Sequence, residues 1–151
     1  MSVNRSVLLD TVAAIAREAG ALIMDIYQCD FEVRGKSDAS PVTEADEKAE
    51  KLILKALQGL ALQAPVVSEE AAAAGYIPDV GERFWLVDPL DGTKEFIQRN
   101  GEFTVNIALI ENGAPVLGVV YAPALRRLYA GAVDLGSWVE EAGERSPIAC
   151  R

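Results

Sequence analysis

The sequence predicts an α+β fold in which two N-terminal helices pack on a largely antiparallel sheet. Apolar residues recur at helical spacing in two stretches before Gly59, which predicts two amphipathic helices. From Pro65 onward, short apolar runs alternate with turn residues, a pattern typical of strands joined by short connections. Two helices followed by a meander of strands favour an α+β fold over a doubly wound parallel sheet. A chain of 151 residues is long enough for one domain with a hydrophobic core.

The two helices are predicted from their apolar stripes and their start signals. The first covers about residues 4 to 28. The second opens at Thr43 and ends near Gly59. Thr43 and Asp46 resemble a capping box with Asp in place of Glu or Gln, so the spacing alone favours capping over catalysis for Asp46. The stripes consist of Leu8, Val12, Ile15, Ala19, Leu22 and Ile26 in the first helix and Ala49, Leu52, Ile53, Ala56 and Leu57 in the second.

The strands are predicted from short apolar runs bounded by turn residues. Asn112-Gly113 favours a tight hairpin, and the stretch from residue 71 to 80, which contains Gly75 and Pro78, is expected to be a loop. The predicted strands are Pro65–Ser68, Phe84–Val87, Phe103–Ile110, Pro115–Tyr121, Leu128–Ala132 and Ser137–Glu140, with the beginning of another at Ser146–Arg151.

The composition argues against several classes of function. Asp and Glu total 23 against 14 Lys and Arg, which gives a formal charge of -9, and such an acidic surface repels nucleic acid and anionic membranes. The chain has no His, which rules out His–Asp catalysis and argues against zinc or iron. Cys29 and Cys150 are interpreted as reduced thiols, with a stabilising disulfide as the less favoured alternative.

The sequence contains neither a signal-peptide pattern nor an apolar run long enough to cross a bilayer. The apolar run Val7–Leu9 stops at Asp10, which does not fit a secretory leader. We therefore expect a cytoplasmic protein without an integral membrane segment. The sequence decides neither whether the protein associates peripherally with a membrane nor whether it forms a homodimer.

The most informative segment runs from Trp85 to Thr93. An apolar strand leads into Asp88, and Pro89 lacks a backbone donor and fixes one backbone angle, so we expect the chain to turn there. Such a turn can bring Asp91 and Asp88 toward one point. Paired carboxylates without nitrogen or sulfur ligands suit a hard cation such as Mg²⁺.

Neighbouring groups extend this candidate metal and phosphate site. The carbonyl of Leu90 lies between the two aspartates in sequence, and Glu69, at the end of another predicted strand, is the obvious third carboxylate. Gly92 permits tight backbone geometry. The segment Thr93–Phe96 can begin a short helix, whose N-terminal amides form a seat for phosphate.

Structural alternatives exist for each of these carboxylates. Asp-Pro and Asp-Gly are common turn dipeptides, so Asp88 and Asp91 can simply shape a loop. Glu69 and Glu70 can be the solvated start of a helix, where the helix dipole favours acidic residues. The buried strand before Asp88, the threonine after Gly92 and the acidic pair upstream together favour the functional interpretation.

The segment Trp85–Phe96 resembles the signature of the inositol monophosphatase superfamily. Its continuation through Arg99–Ile107 is similar to the 3'(2'),5'-bisphosphate nucleotidases of the CysQ type, and Ser40–Asp46 and Val67–Glu70 fit as well. The resemblance implies the N-terminal half of a layered sugar-phosphatase fold. Residues 1-151 would then form the N-terminal metal-binding domain, and a C-terminal domain would be absent from this chain.

The resemblance also implies which residues bind metal. Glu69 and the carbonyl of Leu90 match ligands of a first Mg²⁺, and Asp91 matches a ligand of a second. Asp88 matches the carboxylate that bridges the two. Two or more magnesium ions are therefore expected, together with inhibition by lithium.

The remaining matched residues imply roles at the phosphate. Gly92 and Thr93 match the helix start that holds the phosphate. Thr93 and Asp46 match the pair that orients and activates the attacking water, and this replaces the capping interpretation of Asp46. The residues implied in substrate binding are Glu69, Leu90, Asp91, Gly92 and Thr93.

The implied activity is the magnesium-dependent hydrolysis of the 3'-phosphate of 3'-phosphoadenosine 5'-phosphate, a small phosphorylated nucleotide, to AMP and phosphate in sulfur metabolism. Lys94–Phe96 favours this activity over an inositol-1-monophosphatase or a related sugar phosphatase. An alternative of another class is an inactive fragment that acts only as a folding or interaction module. The 151-residue piece alone is expected to be weakly active or inactive.

Overall fold

The computed structural model describes residues 5–29, 41–60, 64–68, 83–92, 102–133, 135–141 and 143–148. The described part contains two α-helices, α1 at Arg5–Cys29 and α2 at Pro41–Gln58, and a 3-10 turn at Pro123–Leu125. The strands are β1 at Val66–Ser68, β2 at Arg83–Asp91, β3 at Thr104–Glu111, β4 at Ala114–Ala122, β5 at Arg127–Ala132, β6 at Gly136–Glu141 and β7 at Glu144–Ile148.

Helix α1 confirms the prediction to within one residue at each end. Its apolar stripe packs on the sheet, with Val12, Ala19 and Ile23 fully buried. Gly20 is the point of close approach to β4, because a Cβ atom at this position would clash with the ring of Tyr121. The glycine therefore allows the helix to lie directly on the strand.

Helix α2 begins two residues earlier than the sequence suggested. It starts at Pro41, so Thr43 lies inside the first turn and is not the N-cap. Proline is favoured at the first helical position because its missing N–H is not needed there and its backbone angle already suits a helix. The predicted capping box of Thr43 and Asp46 is therefore wrong. The buried face of the helix was predicted correctly, with Ala49 and Ile53 fully buried.

The strands form one sheet in which each strand pairs with the next along the chain. β1 is parallel to β2, and every other pair is antiparallel, which confirms the predicted α+β fold. The hairpin between β3 and β4 is also confirmed, since Asn112 and Gly113 both have positive φ, 53° and 81°, as a tight type I′ turn requires. β7 begins two residues before the strand predicted at Ser146.

The sheet has two different faces, because successive side chains of a strand point to opposite sides. The face toward α1 and α2, called the helix face, carries the core. The opposite face, called the far face, carries half-buried and exposed residues at the alternate positions. Its centre is a row of small residues in register across four strands, Ala108, Gly118, Gly131 and Ser137. The fully buried side chains of the helix face include Trp85, Val87, Ile107, Leu109, Leu117 and Leu128.

Two predictions about the connecting segments lie outside the described residues. These are the loop at residues 71–80 and the position of Cys150. Among the described residues, neither helix combines the length and the apolar character needed to cross a membrane.

Candidate functional site

The candidate site lies at the end of β2, where the strand contains a β-bulge. Asp88 pairs with Asn106 of β3, and the pairing resumes with Asp91 opposite Thr104. The three residue steps from Asp88 to Asp91 therefore lie opposite only two steps, from Asn106 to Thr104. This difference means that β2 contains one extra residue. In a regular strand, Asp88 and Asp91 would lie on opposite faces, because they are an odd number of residues apart. The bulge places both aspartates on the far face with Asn106 and Thr104.

The turn predicted at Pro89 is wrong, since β2 continues to Asp91. The missing N–H of Pro89 suggested a turn, because a proline cannot donate a hydrogen bond to a neighbouring strand. A proline inside a sheet is tolerated at a bulge, and β2 has its bulge here. Leu90 anchors the bulge with a side chain that is 3% exposed and belongs to the core. Gly92 follows with φ of 94°, a left-handed conformation that glycine adopts without strain.

A chain of two hydrogen bonds links β3 to Asp91. The amide nitrogen Nδ2 of Asn106 donates to Oδ2 of Asp91 at 3.1 Å. The hydroxyl of Thr104 donates to Oδ1 of Asn106 at 2.9 Å. Neither Asn106 nor Thr104 is among the site residues predicted from the sequence. The available signal was their alternation with the apolar residues of β3, which marks them as neighbours on one face.

The structure brings some of the predicted site residues together. Asp88 is half-buried and Asp91 is exposed on the same face, and Gly92 directly follows. Asp46 is half-buried on α2, which packs against β2. Since α2 begins at Pro41 and Thr43 is not the N-cap, Asp46 is not the capping partner of Thr43.

Two further predicted residues, Glu69 and Thr93, lie outside the described residues. The last described residue before Glu69 is Ser68, which pairs with Val87, the neighbour of Asp88. The end of β1 therefore lies beside the strand that carries the two aspartates.

The chemistry of the described donors fits magnesium and not a soft metal. Asp88, Asp91 and the carbonyl of Leu90 supply oxygen only, which is the donor type that Mg²⁺ prefers. Leu90 belongs to the part of the bulge without a pairing residue in β3. Within the described ranges, no group of three or more His, Cys, Asp or Glu residues gathers into a metal-binding cluster. The two aspartates are the described part of the predicted metal site, whose third carboxylate, Glu69, lies outside the described residues.

The fold and the paired aspartates define the class of this protein. The profile of the inositol monophosphatase family matches residues 4–150, and the chain belongs to that family.

Within the family, the chain is similar to particular nucleotidases. It is 52% identical over 146 residues to the 3'(2'),5'-bisphosphate nucleotidase CysQ of Salmonella typhimurium, with coverage of 95% of this chain and 59% of that protein. The crystal structure of CysQ from Bacteroides thetaiotaomicron matches with a TM-score of 0.73 and 41% identity, over 88% of this chain and 49% of that one. The chain therefore spans 59% or less of the length of these relatives.

A family member with a different name has a similar fold. The structure of an inositol monophosphatase from Zymomonas mobilis matches with a TM-score of 0.75 and 29% identity, over 99% of this chain and 55% of that one. The arrangement of two helices on a mixed sheet is thus shared across the family, and the fold alone does not distinguish the substrates.

Proposed function

We propose that the protein is a magnesium-dependent phosphatase that hydrolyses the 3'-phosphate of 3'-phosphoadenosine 5'-phosphate to AMP and phosphate. Residues 1–151 form its N-terminal metal-binding domain in this proposal. The observation that carries it is the bulge in β2, which sets Asp88 and Asp91 on one face. The choice of substrate is supported by the 52% identity to a bisphosphate nucleotidase.

The metal-binding residues in this proposal are carboxylates and one carbonyl. Glu69, Asp88, Asp91 and the Leu90 carbonyl would hold the Mg²⁺ ions. The pairing of Ser68 with Val87 supports Glu69, since it brings β1 to the strand that carries Asp88. When bound, Mg²⁺ neutralises charge on the phosphate and makes hydroxide accessible near neutral pH.

The protein groups around the phosphate perform the positioning. Gly92 and Thr93 would hold the phosphate oxygens, and Thr93 with Asp46 would orient and activate the attacking water. The packing of α2 against β2 supports Asp46, because it connects the helix that carries Asp46 to the strand that carries the aspartates. Orientation of the reacting groups and fixed charge then lower the barrier without a covalent enzyme intermediate.

An inositol-1-monophosphatase is the second candidate function, favoured by the match to the Zymomonas mobilis enzyme. The lower identity of 29%, against 52% for the nucleotidase, makes it the weaker candidate. The proposal also includes a cytoplasmic location and inhibition by lithium.

The test is a comparison of phosphate release from 3'-phosphoadenosine 5'-phosphate and from inositol 1-phosphate, with Mg²⁺ and with EDTA. It uses the 151-residue chain and a form extended to the length of the nucleotidase relatives. We expect magnesium-dependent release from the nucleotide by the extended form, faster than from inositol 1-phosphate. Faster release from inositol 1-phosphate would select the second candidate.

Absence of release from both substrates by both forms would support the alternative of a folding or interaction module. Asp88→Asn in the extended form is the matched control, because it keeps the side-chain size and removes the charge. Activity that survives this substitution would exclude Asp88 from the reaction.

A further inference from the structure

The Asp91 carboxylate is held by a neutral side chain of the neighbouring strand. Asn106 Nδ2 donates to Oδ2 of Asp91 at 3.1 Å. In the part of the chain that the structure describes, this hydrogen bond is the one that reaches the Asp91 carboxylate. Because Asp91 is exposed, its side chain would otherwise rotate among several rotamers.

The orientation of the Asn106 amide is fixed by its two partners. A carboxylate only accepts hydrogen bonds, so Asn106 must present its NH2 group to Asp91. The opposite end, Oδ1, accepts the hydroxyl of Thr104 at 2.9 Å, which a threonine can donate. Reversal of the amide would place Oδ1 against the carboxylate. The chain Thr104–Asn106–Asp91 therefore has a single consistent arrangement of donors and acceptors.

The strand register explains how these residues come together. Asn106 lies opposite Asp88 in the pairing of β2 with β3, and Thr104 lies opposite Asp91. Through the bulge, Asn106 thus pairs with one aspartate along the backbone and hydrogen-bonds the other through its side chain. A lysine or arginine in place of Asn106 would compete with a divalent cation for the carboxylates of Asp88 and Asp91. An aspartate in its place would repel these carboxylates. An asparagine orients the carboxylate without a change in charge.

We propose that Asn106, itself oriented by Thr104, is a positioning residue that fixes the Asp91 carboxylate for Mg²⁺ binding. The proposal rests on the proposed function, since it takes Asp91 as a magnesium ligand. Groups that hydrogen-bond to a metal ligand orient it, and their loss typically lowers metal affinity by about 10- to 100-fold. Neither Asn106 nor Thr104 touches the metal in this proposal.

The test is isothermal titration of the 151-residue chain with Mg²⁺, which does not depend on turnover. We expect Asn106→Ala to raise the Kd for Mg²⁺ by about 10- to 100-fold. Thr104→Val, which keeps the side-chain shape and removes the hydroxyl, should raise the Kd by a smaller factor. Thr104→Ser, which keeps the hydroxyl, should bind as the unsubstituted chain does.

The matched control is Val120→Ala. Val120 pairs with Asn106 on β4 and lies on the same face, but it has no polar group to offer the carboxylate. It should bind Mg²⁺ with an unchanged Kd. Urea denaturation of each variant separates loss of affinity from loss of fold, and Thr104→Val keeps the test valid if Asn106→Ala does not fold.

The outcomes distinguish this proposal from the proposed function. Unchanged affinity in both Asn106→Ala and Thr104→Val, together with weakened binding in Asp91→Asn, would overturn the positioning role and leave Asp91 as a ligand. Unchanged affinity in Asp91→Asn would remove Asp91 from the metal site. Absence of Mg²⁺ binding both by the unsubstituted chain and by the extended form would overturn both.

Discussion

The helix face of the sheet carries the packed core, the far face carries the proposed metal site, and β2 contributes to both. On the helix face, Trp85 and Val87 are almost completely buried against the two helices. One residue further along, Asp88 lies on the far face, where the bulge adds Asp91. Val87 and Asp88, which are neighbours in β2, thus lie on opposite faces of the sheet. Because side chains alternate between the two faces, one strand can belong to a packed core and also present polar groups on the other face without burying them.

The largest effect on stability is expected on the helix face. Trp85 is fully buried, so Trp85→Ala should lower the free energy of unfolding by about 3–5 kcal/mol, because it removes apolar contacts and leaves a cavity. The indole Nε1 has no hydrogen-bond partner in the described part of the chain. Trp85→Phe should therefore cost clearly less, since it keeps a ring and removes an unpaired donor.

Urea denaturation followed by circular dichroism measures both Trp85 variants. A loss below about 1 kcal/mol for Trp85→Ala, the size typical of an average substitution, would contradict the assignment of the core to the helix face.

An intermediate effect is expected where α1 meets β4. In Gly20→Ala the new methyl group would clash with the ring of Tyr121 and approach Cβ of Pro123. Overpacking of this kind costs about 1–3 kcal/mol, even though alanine is the better helix former. Gly113→Ala, in the exposed hairpin, is a useful comparison, because nothing lies within 4 Å of the added atom and only the positive φ opposes it. Thermal denaturation of Gly20→Ala with no loss of Tm would show that the helix does not lie this close to the strand.

The smallest effect is expected on the far face. Val120 is 38% exposed there, so Val120→Ala removes little buried surface and should change the free energy of unfolding by about 0.5 kcal/mol or less. Leu117→Ala on the same strand is the matched variant of the helix face, with 2% exposure and an expected cost of about 2–5 kcal/mol. Equal losses in the two variants would mean that the two faces do not differ in packing.

The sequence predicted the fold well because the relevant signals are local. Helical spacing located α1, and Asn112-Gly113 located a hairpin whose backbone angles require those residues. The start of α2 was misplaced because proline and threonine both occur at helix N-termini. Residue type alone therefore does not decide between a start at Pro41 and a start at Thr43.

The site was only partly predictable. Residue type and spacing predicted Asp88 and Asp91 as metal ligands, which stays a prediction, but Pro89 suggested a turn where the structure has a bulge. The bulge follows from the register between β2 and β3. Register depends on both strands, so the sequence of β2 alone does not predict it. For the same reason, the hydrogen bond from Asn106 to Asp91 could not be read from the sequence, although the polar alternation of Thr104 and Asn106 placed them on one face.

In the proposed function, Asp88 and Asp91, brought together by the bulge, bind Mg²⁺ on the far face. Titration calorimetry with Mg²⁺ on the unsubstituted chain, Asp88→Asn and Asp91→Asn tests it most directly, with urea denaturation in parallel. We expect binding by the unsubstituted chain, its loss in both variants, and unfolding free energies within about 0.5 kcal/mol of one another, because neither side chain belongs to the core. Undiminished binding of Mg²⁺ by either variant would contradict the account.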